Sequence, residues 1–354
     1  MRILVVDDSA LYRKLLTDVA SSLPDVEAVA VSNGEIALKK IDSEKFDLVL
    51  LDVFMDPMSG PQTLVKIKES HPHLPVVMVS GATGRDAEVT LGCLSDGAMD
   101  FIPKPSGSSF ESGMESLMAE IRRVSSMARL KSLSASVAHP PPPVASVENP
   151  VPVSPKSRSF PPFPELILIG VSTGGPNALS ALIPTLSQKL PVPILLVQHM
   201  PPFFTKTLAE QLNKSSSLSV AEAQGGEIPG PGEVLIAPGG YHMEIVRTNN
   251  GKLQVRLAST PPVNSCRPAV DVLFNSAAKC ELSGVISLIL TGMGSDGADG
   301  VASLRAVCPT WCIAQDAATS TVYGMPQAIA QRNLADEILS LQEIGPRLNK
   351  IFRL

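Results

Sequence analysis

Aromatic side chains are scarce: Phe, Tyr and Trp make up 4% of the 354 residues, with one Trp and three Tyr. Proteins that hold single-stranded nucleic acid stack bases on such rings, so that class is disfavoured. An excess of positive charge is also missing. The 29 Lys and Arg against 34 Asp and Glu leave a net charge of −5, the wrong sign for gripping a phosphate backbone, and no nucleic-acid partner is expected. Cysteine is sparse and unpatterned, at Cys93, Cys266, Cys280, Cys308 and Cys312. Cys308 and Cys312 are close, but no second pair completes a zinc set, so reduced, mostly buried thiols in a reducing compartment are expected. Long apolar runs are lacking too, with none near the roughly 18 residues of a membrane span. The N-terminal run MRILVVDDSA meets two aspartates too early for a signal peptide. A cytoplasmic protein, not embedded in a membrane, is the expectation.

Proline is plentiful, at 32 residues, and it is concentrated. The stretch 125–163 is rich in Pro, Ser and Val and contains the tetraproline Pro140 to Pro143. Such a run sustains neither a helix nor a central strand and reads as an extended, semi-rigid linker. It divides the chain into domains at 1–124 and 164–354. In the first, RILVV, DVEAVAV, FDLVLLD, PVVMVS and DFI alternate with helix-period segments. In the second, LILIG, PILLVQ, EVLIAP, VISLILT and WCIAQ are continuous apolar runs, as buried parallel strands are. Both patterns predict an α/β fold: two doubly wound parallel-sheet domains, each binding its ligands beyond the C-terminal strand ends.

Acids fall at those ends in the first domain. Asp7 and Asp8 close the first strand and Asp52 the third, while Ser80 closes the fourth and Lys104 follows the fifth. Three clustered carboxylates repel one another and call for a hard cation, Mg²⁺ or Mn²⁺. A hydroxyl and an ammonium on the same edge suit a phosphoryl group. Any one strand-end acid is ordinarily a solvated loop residue; the full set at successive strand ends is not. This arrangement resembles the flavodoxin-like receiver domains of two-component response regulators. The resemblance implies that Asp52 accepts a phosphoryl group from a histidine kinase. It implies that Asp7, Asp8, Asp52 and the backbone carbonyl of Phe54 hold Mg²⁺, and that Ser80 and Lys104 relay the phosphorylated state. One departure is Met55-Asp56-Pro57, where the family has Met-Pro soon after the acceptor; Asp56 adds a negative charge near the site.

In the second domain, Gly170-Val171-Ser172-Thr173-Gly174 is a G-x-S-x-G between a strand and a helix pattern. That is the setting of a nucleophile turn, and equally of a phosphate-binding turn. A serine nucleophile needs a base. His71 and His73 lie in the first domain and His139 in the linker, leaving His199 and His242. His199 ends PILLVQH at the favourable edge, so position favours it. The orienting acid is Asp296, with Asp299 as rival, both in the Gly-rich turn after VISLILT. The order Ser, His, Asp differs from that of α/β-hydrolases.

The stretches GVSTGGPNAL, VQHMPPFFTKTLAEQL, RPAVDVLFNSAA, LTGMGSDGADG and AQDAATSTVYGMPQAI span most of 165–345. They resemble the catalytic domain of the CheB protein-glutamate methylesterases, a Rossmann-like serine hydrolase domain. The receiver–linker–esterase order is also theirs. The resemblance implies Ser172 as nucleophile, His199 as general base and Asp296 as orienting acid. The Met293 amide becomes an oxyanion candidate and Thr173 a weaker supporting one. It further implies methyl-accepting chemotaxis receptors as substrates, the histidine kinase CheA as phosphodonor, and no cofactor in the esterase domain. Two rival readings stand beside it. Gly292-Met293-Gly294-Ser295-Asp296-Gly297 is a literal G-x-G-x-x-G with Asp316 near the ribose spacing, as in dinucleotide binders. A catalytically silent adaptor would also keep these motifs.

Overall fold

The computed structural model describes residues 1–81, 83–105, 110–136 and 160–354. The chain divides into two compact units, Met1–Ser157 and Arg158–Leu354.

The first unit runs β1 (Arg2–Val6), α1 (Ala10–Ser21), β2 (Glu27–Val31), α2 (Gly34–Ser43), β3 (Leu48–Asp52), α3 (Gly60–Ser70), β4 (Val76–Ser80), α4 (Gly84–Ser95), β5 (Asp100–Pro103) and α5 (Phe110–Ser136). The sheet order is β2-β1-β3-β4-β5, parallel throughout. This is the flavodoxin-like winding, whose order reverses between β1 and β3. The continuous apolar runs are the buried strands: Ile3 to Val6 and Leu48 to Leu51 are all fully buried. Helix starts follow their side-chain caps. Asn33 accepts from Ile36 N at α2, and a Ser59/Gln62 capping box opens α3.

Helix α5 does not stop at 124. Leu117, Ile121, Val124 and Ala128 keep a helical spacing and are buried, so the apolar stripe continues. Arg129 donates to the Pro24 carbonyl at 3.2 Å, tying the extension to the receiver. The first part of the expected linker is therefore helix through Ser136. Its other end belongs to the second unit, where the Phe160 ring meets Trp311 with centroids 5.5 Å apart. Residues 137–159, with the tetraproline and His139, lie outside the described residues.

The second unit runs β6 (Leu166–Val171), α6 (Gly175–Leu182), a short 3₁₀ turn, β7 (Ile194–Gln198), α7 (Phe204–Ser215), β8 (Ser219–Glu222), β9 (Glu233–Ile236), β10 (His242–Arg247), β11 (Leu253–Ala258), α8 (Val270–Ala277), β12 (Val285–Ile289), α9 (Ala298–Val307), β13 (Thr310–Gln315), α10 (Gly324–Gln331), β14 (Glu337–Leu339) and α11 (Leu341–Ile351). The seven-stranded parallel sheet is ordered β14-β13-β12-β6-β7-β9-β8. From β6 the chain winds outward through β7 and its neighbours, then returns to β12 on the other flank. The order thus reverses beside β6, where a doubly wound sheet opens its crevice. β10 and β11 form a separate antiparallel ribbon. Sequence periodicity gave no sign of β8, β14 or this ribbon. Their strands are short or half-exposed, and their runs are mixed rather than continuously apolar.

Candidate functional sites

At the receiver edge, Asp7 and Asp52 are buried and Asp8 is exposed, and one oxygen of each lies within 4.8 Å of the others. Lys104 Nζ bridges the buried pair, 3.0 Å from Asp7 Oδ2 and 2.8 Å from Asp52 Oδ1. Burial pushes the Asp52 carboxyl up to about 6; the Lys104 contact opposes this, while the Asp7 charge adds to it. One ammonium therefore undercompensates the cluster. Asp7 Oδ2 is buried and accepts no directed hydrogen bond among the described residues, Lys104 being its ionic neighbour. An oxygen-only set short of positive charge fits a hard divalent cation. Ser80 is fully buried at the end of β4, and its Oγ accepts from Thr90 Oγ1 of α4 at 2.7 Å. Phe54 follows β3 with its ring half-exposed under the Arg85 guanidinium. Asp56 is exposed and is not part of the carboxylate cluster.

In the second unit, sheet register does the positioning. Val171 pairs with Gln198 across β6 and β7, so the next residues, Ser172 and His199, leave adjacent strands at the same level. His199 N donates to Val171 O at 3.1 Å, and Ser172 N donates to Thr291 O, beyond β12, at 3.0 Å. Gln198 is buried, and its Nε2 donates to the carbonyls of both Ser172, at 2.9 Å, and His199, at 3.2 Å. The turn is tightly filled. Gly174 has φ +74°, and a Cβ there would stand 2.3 Å from Thr321 Oγ1. A Cβ on Gly292 would stand 2.8 Å from the Ser172 Cβ and 2.3 Å from Met325 Sδ.

Asp296 lies beyond β12, and its Oδ2 is 2.7 Å from His199 Nε2. The carboxylate also accepts from Val270 N at 2.7 Å, Asp271 N at 3.0 Å and Asn264 Nδ2 at 3.0 Å. Burial works against its charge, but the His199 contact and these amides win and hold it down at about 2. Burial likewise disfavours the His199 imidazolium, yet Asp296 and the Cys266 thiol raise His199 well above the ordinary imidazole range.

The rival residues have other work. Asp299 is exposed and ion-pairs with Arg332 at 2.7 Å. His242 is fully buried. Its Nδ1 accepts from Ala269 N at 3.2 Å and its Nε2 meets Pro261 O at 3.1 Å, so both ring nitrogens are taken up by the backbone. The dinucleotide reading loses its anchor: the α9 amides of Gly297 and Gly300, which would meet a pyrophosphate, donate instead to Asp271 Oδ1 at 3.0 and 2.7 Å. Asp316 turns back on its own loop, accepting from Thr319 N at 2.9 Å. Met293 is half-exposed, and its N–H has no acceptor among the described residues. Thr173 is buried, and its carbonyl accepts from Thr291 Oγ1 at 2.8 Å. The sequence reading assigned nothing to Asn264, Asp271 or Gln198, because an amide or a second acid near a triad has no spacing signature of its own.

Comparison with known families decides between the remaining readings. Residues 167–348 match the CheB methylesterase family, and residues 3–110 match the response regulator receiver domain. The chain belongs to the CheB methylesterase family. A Nocardioides protein named protein-glutamate methylesterase/protein-glutamine glutaminase is 42% identical, covering 98% of this chain and 94% of its own length. A Caulobacter vibrioides relative of the same name, numbered 2, is also 42% identical, covering 98% of this chain and 97% of its own. The crystal structure of the Thermotoga maritima CheB methylesterase catalytic domain is 40% identical, with a TM-score of 0.51. It covers 53% of this chain and 99% of that one. CheB membership brings a hydrolase domain behind a receiver domain, and the two parallel-sheet folds match that architecture. No described helix is long and apolar enough to cross a membrane.

Proposed function

We propose that this CheB-family chain hydrolyses glutamyl methyl esters on methyl-accepting chemotaxis receptors, releasing methanol, and deamidates receptor glutamines at the same site. Phosphorylation of its receiver by a histidine kinase of the CheA type would control it. The observation that carries the reading is the register of β6 and β7, which sets Ser172 beside His199, with His199 held 2.7 Å from Asp296.

Ser172 Oγ attacks the ester carbonyl while His199 takes its proton. Nε2 is engaged by Asp296, so Nδ1 is the ring atom left for that proton. Asp296 stabilises the imidazolium that forms and fixes its tautomer. The Met293 amide, which has no acceptor among the described residues, is the donor we assign to the developing oxyanion. Such a donor contributes roughly 3–4 kcal/mol to the transition state. Collapse expels the methoxide of an ester or the amide nitrogen of a glutamine, and the leaving group takes the proton from His199 to depart as methanol or as ammonia. His199 then deprotonates a water that attacks the acyl-enzyme, releasing glutamate and returning the proton to Ser172.

In the receiver, Asp52 is the acceptor, and Asp7, Asp8, Asp52 and the Phe54 carbonyl are the groups that would hold Mg²⁺. When bound, Mg²⁺ offsets the charge of an incoming phosphoryl group. Lys104 already spans Asp7 and Asp52 and is placed to follow a phosphoryl oxygen. The test is methanol release from methylated receptor membranes, with and without a small-molecule phosphodonor and Mg²⁺. Release that rises with phosphodonor is expected. No release from folded protein with receptors of its own pathway would overturn the esterase reading.

A further inference from the structure

The catalytic carboxylate does not stand alone. Asp271, in the first turn of α8, is buried beside it, and the two acids cap each other's helices. Asp296, just before α9, accepts from Val270 N and Asp271 N at the start of α8. Asp271 accepts from Gly297 N and Gly300 N at the start of α9. Two facing helix N-termini supply the donors and positive potential that let two buried acids sit side by side. One edge of the pair is still open, and Asn264 closes it. Its single Nδ2 donates to Asp296 Oδ1 and to Asp271 Oδ2, both at 3.0 Å. One amide nitrogen thus spends both of its protons on two carboxylates. Asn264 belongs to the surface loop after β11 and is held at φ +52°, a left-handed conformation that asparagine tolerates better than most residues. A short backbone bridge between Val263 and Cys266 braces that loop.

We propose that Asn264 is a positioning residue for the catalytic reaction: its carboxamide clamps Asp296 against Asp271 and so sets the basicity of His199. The proposal rests on the Ser172–His199–Asp296 reading. The titratable groups facing this point are His199 from the end of β7, Asp271 from α8 and Cys266 from the same loop. Asp271, raised to about 6 by burial, is ionised throughout the range in which His199 titrates. Removing the amide therefore leaves more unshared negative charge facing the imidazole, and its pKa rises further. The base is then protonated to higher pH.

The experiment uses full-length protein carrying Asn264→Ala. Expected are an acidic limb of kcat/KM moved up by roughly half a unit to one unit, and a threefold to tenfold loss below the limb. Because turnover could fail for other reasons, the His199 ring is also titrated by NMR in a Ser172→Ala background, where no activity is needed. A matching upward shift there supports the clamp even if Ser172 proves not to be the nucleophile. A folded variant whose His199 titration stays where it was overturns the proposal, whatever happens to the rate. A rate loss with an unmoved limb also overturns it, since simple disorder of the loop would do that. If alanine leaves the protein unfolded, Asn264→Leu, which keeps the bulk but removes the donor, is judged by the same two shifts.

Discussion

The two domains each gather buried aspartates at the C-terminal edge of a parallel sheet, and they neutralise them by opposite means. In the receiver, Asp7 and Asp52 share one ammonium, Lys104, and burial leaves Asp52 near 6. In the catalytic domain, Asp296 meets three amide N–H donors as well as the imidazole, and stays near 2. A lone cation leaves a carboxylate reactive and in want of a metal. A cage of fixed dipoles leaves it permanently charged and inert. The first suits the modification proposed for Asp52, the second the orienting role proposed for Asp296.

The largest expected effect lies on the caged side. Ser172→Ala should lower methanol release by about 10⁴-fold or more, as loss of a triad nucleophile does. Near-normal release would remove Asp296 from any catalytic role and with it half of the comparison. Next comes Asp296→Asn, for which a loss of roughly 10³–10⁴-fold in kcat is expected. The Asp296 charge raises His199, so taking that charge away lowers the imidazole pKa. The acidic limb of kcat/KM should therefore move to lower pH even as the rate falls, and a limb moving upward would contradict the assignment. On the other side, Asp52→Asn should abolish the rise in methanol release caused by phosphodonor, and a retained response would place the acceptor elsewhere.

The smallest effect sharpens the contrast in thermodynamic form. Asp52 titrates in the folded state above the ordinary carboxylate value, so the folded receiver holds a proton that the unfolded chain has released. Stability from this group is present at low pH and lost as pH rises through about 6. Without metal, the receiver transition should drop by several degrees across that window, and Mg²⁺ or Asp52→Asn should flatten the slope. A slope untouched by either would mean that Asp52 is already compensated.

The strands bearing chemistry were legible because fully buried parallel strands are unbroken apolar runs, and each ends where its polar residue begins. Val6 to Asp7, Leu51 to Asp52 and Val171 to Ser172 are all such junctions, and Val197 to Gln198 is another, with His199 one residue further on. The choice between His199 and His242 was not legible beyond position. It depends on a backbone amide and a carbonyl, Ala269 N and Pro261 O, that occupy the His242 ring. Nor was the end of the receiver. The Ser-rich composition after 124 masks an apolar spacing at Val124 and Ala128 that still packs. Asn264 and Asp271 stayed hidden because Asp296, which both of them hold, lies 32 and 25 residues away in the chain.

The crowding around Gly174 and Gly292 bears on how this enzyme tolerates change. Neither residue has a side chain that could move a proton. Yet any side chain at either would collide with Thr321, or with Ser172 and Met325. In a saturation screen, both positions should look as intolerant as Ser172 itself. Intolerance here would map the space needed to bend the chain, and only kinetics on purified variants would separate those positions from the ones that react.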